Sequence, residues 1–436
     1  MSAALTAYTT SYPAVAEGLP GNALAELQAI REDAFAQFSA HGFPATTEED
    51  WRYTNLSALQ KKAFIPALSG INPVDADWLE SYQLADAWSL VLVDGHFRAD
   101  LSVLAGLPEA VTIMPMVDAL AQHAEQVMPY LGKALASAGH GFIAFNTAWF
   151  TDGLWVNIPD QQVLEKPIQC LHVVTQEGNL ASTRNLLVLG QNAAVQWLET
   201  FIGSDDVGYL SVAVTEAFIG QNAQLTAYKI QCESAQAFHF GGLYIQQAPQ
   251  ACCTHHNFAF GGLLARSDIH TDLHQAAQCE LNGLYLGVKR QHIDNHTRIN
   301  HNQPDGISRE TYKGVLADRA RGVFQGRVVV AEQAQKIDSN MSNRNLLLSA
   351  DAEVDTKPQL EIYADDVKCG HGMTVGQLDE KSVFYLQSRG IDEVTARNML
   401  TFAFANEMAD KITLPALKAL LLGQLLVHFP QHGYVD

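Results

Sequence analysis

The stretch Gln359-Leu-Glu-Ile-Tyr-Ala-Asp-Asp-Val-Lys-Cys-Gly-His-Gly-Met-Thr-Val-Gly376 opens as a strand. It carries β-favouring residues at Leu360, Ile362 and Tyr363, then turns polar and glycine-rich at Cys369-Gly370-His371-Gly372. Side chains of an extended segment alternate between faces, so Cys369 and His371, two apart, point the same way. Gly370 and Gly372 add no bulk, which lets another backbone, a partner or a ligand come close. A thiol beside an imidazole in an uncrowded place can bind a soft metal or activate a nucleophile. The same pattern also describes a small buried hydrophobe beside a hydrogen-bonded histidine.

Working outward, the residues before this stretch are strand-like from about 150. Short β-type runs dominate, among them Leu186-Leu-Val-Leu189, Ala194-Val-Gln-Trp-Leu198, Leu210-Ser-Val-Ala-Val214 and Arg327-Val-Val-Val330, separated by Gly and Asn. Gly190-Gln-Asn-Ala193 returns as Gly220-Gln-Asn-Ala223. His270-Thr-Asp272-Leu-His274 returns as His292-Ile-Asp294-Asn-His296, and in the same register Gly261 and Leu264 map to Gly283 and Leu286. Self-similarity at a period of about 20 to 30 residues marks a solenoid. Strand-rich rungs without a recurrent helix point to a parallel β-helix rather than a doubly wound sheet. A rung as long as the step from His270 to His292 would stack one histidine triplet over the other.

The flanks read differently. Residues 1–150 are mixed and mostly helical. Asn22 can cap a helix carrying Leu24, Leu27, Ile30, Phe35 and Phe38, which Gly42-Phe-Pro44 ends. Thr46-Thr-Glu-Glu-Asp50 reads as a helix start, Trp51 and Tyr53 as packing residues, Trp88–Val93 as a strand before a turn, and 117–135 as helical. After the solenoid, 151–379, helical periodicity returns over 380–436. Ser382–Arg389 stops at Gly390, Asp392 caps the next helix, and Pro415 opens a last one. So short a block is expected to dock on something.

Of the 436 residues, 47% are apolar and 17% charged, enough for a large core. A net charge of -20 argues against nucleic acid or anionic lipid as the main partner. The six cysteines form no C-x-x-C pair, which excludes zinc ribbons and thioredoxin-type motifs. No signal peptide or membrane-length apolar run is evident, so a cytoplasmic protein with reduced thiols is expected. No Walker A loop, G-x-S-x-G elbow or strand-borne G-x-G-x-x-G occurs.

Eight of the 16 histidines lie between His239 and His301. They read as a metal or cofactor surface or, more simply, as a solvated polar ladder on a solenoid face. Cys252-Cys253 with His255-His256 is metal-like in composition, but adjacent residues on a strand face opposite ways, which favours a structural role. Glu361, Asp365 and Asp366 are candidate hard-metal ligands or a solvated charge run.

Three segments together resemble the SufB/SufD family of iron–sulfur cluster assembly proteins. They are Asn345-Leu-Leu-Leu348, the stretch Lys357–Gly376, and Phe384-Tyr-Leu-Gln-Ser-Arg-Gly-Ile391. Glu49-Asp-Trp-Arg-Tyr-Thr54 is similar to that family's Glu-x-Trp-Lys-Tyr-Thr element, with Asp50 and Arg52 as mild departures. The Cys-x-His form is most like the SufD branch; SufB typically has a Glu-His-Glu type sequence there. The resemblance implies a mainly β fold, with a right-handed parallel β-helix core between helical N- and C-terminal parts. It implies a non-catalytic scaffold that pairs with a SufB-like subunit through the β-helix and binds a SufC-like ATPase through the C-terminal region. It implies that His371 shares a transient Fe–S cluster with a SufB cysteine, with Cys369 a second ligand or a packing thiol. A flavin is compatible with the full complex but is not assigned to residues of this chain. A β-helix carbohydrate-active enzyme and a structural homodimer are the alternatives.

Overall fold

The computed structural model describes residues 2–67, 72–135 and 141–429. The N-terminal part carries helices α1 (Ala3–Ala16) and α2 (Ala25–His41), strand β1 (Ile65–Pro66) and helix α3 (Ala76–Glu80). Strands β2 (Trp88–Val93), β3 (His96–Phe97) and β4 (Thr112–Pro115) follow, then helices α4 (Met116–Gln122), α5 (Ala124–Val127) and α6 (Gly141–Trp149). The solenoid strands alternate between two sheets. One receives β5 (Leu154–Ile158), β7 (Asn179–Leu189), β9 (Leu210–Ile219), β11 (Phe238–Gln247), β13 (Leu264–Leu273), β15 (His292–His301), β17 (Arg321–Val330) and β19 (Glu353–Ile362). The other receives β6 (Ile168–Val174), β8 (Ala194–Gly203), β10 (Gln224–Cys232), β12 (Cys252–Ala259), β14 (Gln278–Gly287), β16 (Ile307–Leu316), β18 (Ile337–Leu347) and β20 (Val367–Gly376). Helices α7 (Glu380–Ser388), α8 (Glu393–Ala409) and α9 (Pro415–His428) close the described chain.

Every solenoid pairing is parallel, and each strand bonds to the strand two further along. Leu180 lies opposite Leu210, Phe238 opposite Leu264 and Arg321 opposite Glu353. The coil is therefore not of constant length: it is shorter from Phe238 to Leu264 than from Leu180 to Leu210, and longer again from Arg321 to Glu353. The Gly-Gln-Asn-Ala repeat obeys the pairing. It builds one corner of the coil, with Asn192 and Asn222 each at φ 58. Gln161, Gln250, Ala276, Asp305 and Lys336 hold the same left-handed conformation at the equivalent corner. Gly220 sits where a Cβ would come within 2.7 Å of the Leu189 and Gly190 backbones, so this coil stacks on the one before it only without a side chain there, whereas Ala248, His274 and Asn302 hold the equivalent position in later coils.

The echo between the two histidine triplets is not the coil. His292 lies opposite Leu264, and His270 opposite Arg298, so the triplets are out of register. Leu264 and Leu286 fall in different sheets. Hydrogen-bond pairing sets the coil length, and the shorter step from one triplet to the next is an echo of composition only.

Alternate side chains fill a long interior, including Leu187, Val195, Ile245, Ile269, Leu281 and Phe324. The outer faces are covered at both ends of the chain. Trp51, Phe142, Phe145 and Trp149 pack against Leu210, Val212, Phe238 and Phe240, with Phe142 stacked on Phe240 at 3.6 Å. Met408, Leu417, Leu421 and Leu425 of α8 and α9 cover Tyr228, Phe258 and Leu284 on the opposite sheet.

Three local expectations are corrected. Asn22 does not cap α2; its amide donates to the Glu17 carbonyl, and Leu24 stands at the cap without a side-chain bond. The Thr46 segment yields only a short 3-10 turn, Glu49–Trp51, because its side chains are committed to the solenoid. Residues 116–135 break into α4, α5 and a 3-10 turn rather than one helix. Asp392 does cap α8, accepting from Thr395 N at 3.0 Å, and Gly390 takes φ 90 after α7.

The corner geometry makes a test. Ala276→Gly relieves a left-handed residue with a Cβ and is expected to stabilise the protein by about 1 kcal/mol. Gly220→Ala inserts a Cβ against backbone and is expected to cost about 2 kcal/mol or more. Urea unfolding of both variants measures this; equal midpoints would contradict the shared-corner account.

Candidate functional site

Strand β20 is the last strand of its sheet, as β19 is of the other, so the terminal coil has pairing partners on one side only among the described residues. Cys369 lies opposite Ser339 and His371 opposite Met341, whose side chain faces the interior. Cys369 and His371 therefore share the inward face at the open end of the solenoid. Cys369 is half-buried and packs on the edge of the interior core; His371 is exposed. Burial pushes the Cys369 thiol up, and a hydrogen bond with the Ser339 backbone draws it partly back. Arg309, Asp338, Asn340 and Lys368 surround an open recess of about 450 Å³ beside it. A Cβ on Gly372 or Gly376 would meet nothing within 4 Å, so the fold of this chain does not require glycine there.

The remaining candidates are dispersed. Cys253 and His255 point into the interior, where burial pushes His255 down to about 3. His256 faces outward and stacks on Tyr228 at 5.1 Å. Glu361 lies 3.5 Å from Arg327, and the Asp366 backbone joins a corner with Lys336 and Gln335. Asp272 accepts from Gln246 and Asn300 in a polar ladder on the outer face. Among the described residues no group of three or more His, Cys, Asp or Glu is placed to hold a metal ion. Cys369 and His371 are thus a pair of donor side chains on one face of the last strand.

Two features escaped the sequence reading. The first is a fastening built by residues 49–54. Trp51 lies over the Arg266 guanidinium at 3.6 Å, and Thr54 donates to Asp294 at 2.5 Å. Asp50 accepts from Gln325 at 2.7 Å, and Glu49 pairs with Lys357 at 2.6 Å. The segment thereby grips four successive strands of one sheet, β13 to β19. Burial alone would raise the Asp294 carboxyl, but His296 and Arg266 outweigh it and hold it near 2.

The second is a polar interior. Lys229 donates to Ser267 at 2.9 Å and lies with Glu199 and His255 around a cavity of about 10 Å³, room for roughly one water. Gly241 leaves the space that the Lys229 amine occupies. Higher up, Glu310 is buried beside Thr297. Burial lifts it to about 8, against a smaller opposing pull from Thr297. Charged residues at inward positions of an alternating strand were the available signal; their depth was not.

The fold is a parallel β-solenoid whose last strand places Cys369 and His371 on one face at its open end. Residues 172–404 match the model for the SUF system FeS cluster assembly SufBD core domain, and residues 2–170 match the SufBD protein N-terminal region. An iron–sulfur cluster assembly SufBD family protein of Synechocystis is 34% identical over 391 residues, 87% of this chain and 86% of the relative. The iron–sulfur cluster assembly protein SufD of Escherichia coli is 31% identical over 411 residues, 89% and 90%. The chloroplastic protein ABCI7 of Arabidopsis thaliana is 28% identical over 397 residues, 88% and 82%. The chain belongs to the SufBD family of SUF-system iron–sulfur cluster assembly proteins, and it is SufD-like. Among the described residues no helix is long and apolar enough to cross a membrane.

Glu310 supplies a pH test. An acid whose folded pKa is raised binds more protons folded than unfolded, so it lowers stability as pH rises from about 4.5 to about 8. Glu310→Gln is expected to flatten that part of the stability curve and to stabilise the protein at pH 8. Denaturant unfolding at several pH values checks it; an unchanged slope would refute the buried neutral carboxyl.

Proposed function

We propose that this chain is a scaffold subunit of a cytoplasmic SUF assembly complex, organised as 1–150, 151–379 and 380–436. Its open solenoid end pairs with a SufB-like subunit to complete the Cys369/His371 half-site. The observation that carries this is the exposed His371 imidazole on a glycine-spaced terminal strand. In the assembled pair His371 would ligate a nascent Fe–S cluster together with a thiolate from the partner. Neutral imidazole and thiolate both suit iron that is taking up sulfide. Cys369, half-buried with its thiol pushed up, serves mainly to pack the site and can act as a second ligand when deprotonated.

The chain carries no Walker A loop, so ATP hydrolysis falls to a SufC-like partner. Its dock is the C-terminal region, where Phe384, Tyr385 and Val394 are 58% to 70% exposed. Large exposed apolar side chains grouped on adjacent helices mark an interaction site. Without its partner, the open end can pair with a second copy. Family membership favours assembly over carbohydrate cleavage.

His371→Ala is expected to keep the complex intact in a pull-down and to lose cluster assembly in cells, measured by the activity of an Fe–S reporter enzyme. Normal assembly would remove His371 from the site. Gly372→Val has room in the isolated chain, which should keep its unfolding midpoint, yet should fail to co-purify the SufB-like subunit. Retained pairing would show that the glycine spacing is not what admits the partner.

A further inference from the structure

The Glu49–Thr54 segment lies as a strap across the outer face of one sheet, and it closes around a single carboxylate. Asp294 is fully buried, and three groups converge on it. The Thr54 hydroxyl donates at 2.5 Å, Arg266 donates at 3.0 Å, and His296 Nε2 lies 3.0 Å away. Thr54 lies in turn 2.9 Å from His292 Nε2. A hydroxyl has one proton, and that of Thr54 goes to Asp294. In the contact with His292, Nε2–H therefore donates and Thr54 accepts. Thr54 and Asp294 are shielded from water, whereas His292 is half-buried and within reach of solvent protons.

The His292 ring stands among cations. Its register neighbour on β17 is Arg321, and Arg266 reaches the same carboxylate from β13. The acids around it are Asp294 on its own strand, Asp268 on β13, Glu353 and Asp355 on β19, and Asp50 in the strap. Each is already engaged: Asp294 by Arg266 and His296, Asp268 by Arg266, Glu353 and Asp355 by Arg321, and Asp50 by Gln325 and Arg327. Burial lowers the pKa of His292, and Arg321 and Arg266 lower it further, against the pull of Asp294 and Asp355. A protonated ring thus sets a further cation beside two arginines whose acids are shared out.

We infer that His292 is an acid-sensitive catch: its protonation releases the strap from Asp294 and, with it, the strap's hold on β17 and β19. The strap reaches β17 through Asp50, and it reaches β19, the last strand of its sheet, through Glu49 and Lys357. Opening it frees the outside of the terminal coil and leaves Cys369 and His371 in place on β20. The catch goes beyond the scaffold reading and does not depend on it.

A histidine whose pKa is lowered in the closed state binds fewer protons there than when freed. Closure is therefore strongest above the ordinary histidine value of about 6.5 and weakens as pH falls through it. Asp294, held near 2, stays ionised over that range. Between pH 7.5 and 5.5 a freed imidazole takes up most of one proton, which limits the loss to about tenfold in the closing equilibrium.

Hydrogen–deuterium exchange of the full chain, read by mass spectrometry, tests the catch. The amides of Trp51, Arg52 and Thr54 are bonded within the strap. Their protection, corrected for the intrinsic pH dependence of exchange, is expected to fall about fivefold to tenfold from pH 7.5 to 5.5, while β10 and β12 on the opposite sheet keep theirs. His292→Gln keeps a donor for Thr54 and does not titrate, so its strap should be equally protected at both pH values. Thr54→Val removes the shared hydroxyl, and its strap should be poorly protected at both. Protection that holds at pH 5.5 in the parent chain would overturn the catch, as would a fall that persists in His292→Gln. A Thr54→Val strap as well protected as the parent's would do the same. A fall of equal size in β10 and β12 would mark general loosening in acid and overturn it too.

Discussion

The parallel hydrogen-bond ladder governs this molecule. Each coil offers its backbone groups to the next, and buried amides and carbonyls cannot be left unpaired without cost. Register is therefore passed from Leu180 through Leu210, Phe238, Leu264, His292 and Arg321 to Glu353. A ladder of this kind must end, and its final coil keeps one unsatisfied side. That side meets solvent at β20, and an unpaired terminal strand is a template for another chain. Bulk-free positions at Gly370 and Gly372 suit such an approach.

Around the ladder, the terminal regions act as clamps. The Glu49–Thr54 segment ties the N-terminal part to strands as far along as β19, through Lys357. On the opposite sheet, Lys313 reaches Glu407 and lies over Phe404 at 4.3 Å, and Lys411 pairs with Glu280. Each clamp sets charge against a largely apolar contact, so it fixes a position as well as burying area. The two clamps hold the coils from outside, on opposite sheets.

The interior is less oily than a solenoid of this size requires. Lys229, Glu199, His255 and Glu310 lie within it, at depths where a charge without a partner is costly. The Lys229 amine falls to about 8 for that reason, against the pull of Glu199 and Glu233. Toward the open end the inward face mixes Met341, Cys369 and Met373 with the buried Ser339, Asn343 and Asn345.

Sequence alone determined the kind of fold, the helical flanks, the caps at Asp392 and Gly390, and the shared face of Cys369 and His371. These follow from strand alternation, local capping chemistry and recurring corners, all of which act over short stretches of chain. Only the tertiary structure decided the coil register, and with it which residues are neighbours. It moved the histidine triplets apart, put Thr54 on Asp294 from far along the chain, and set Met341 beside His371. The reason is physical: the coil lengthens and shortens with its corners, as the steps from Phe238 to Leu264 and from Arg321 to Glu353 show, so no fixed spacing in the sequence names the partner across the ladder.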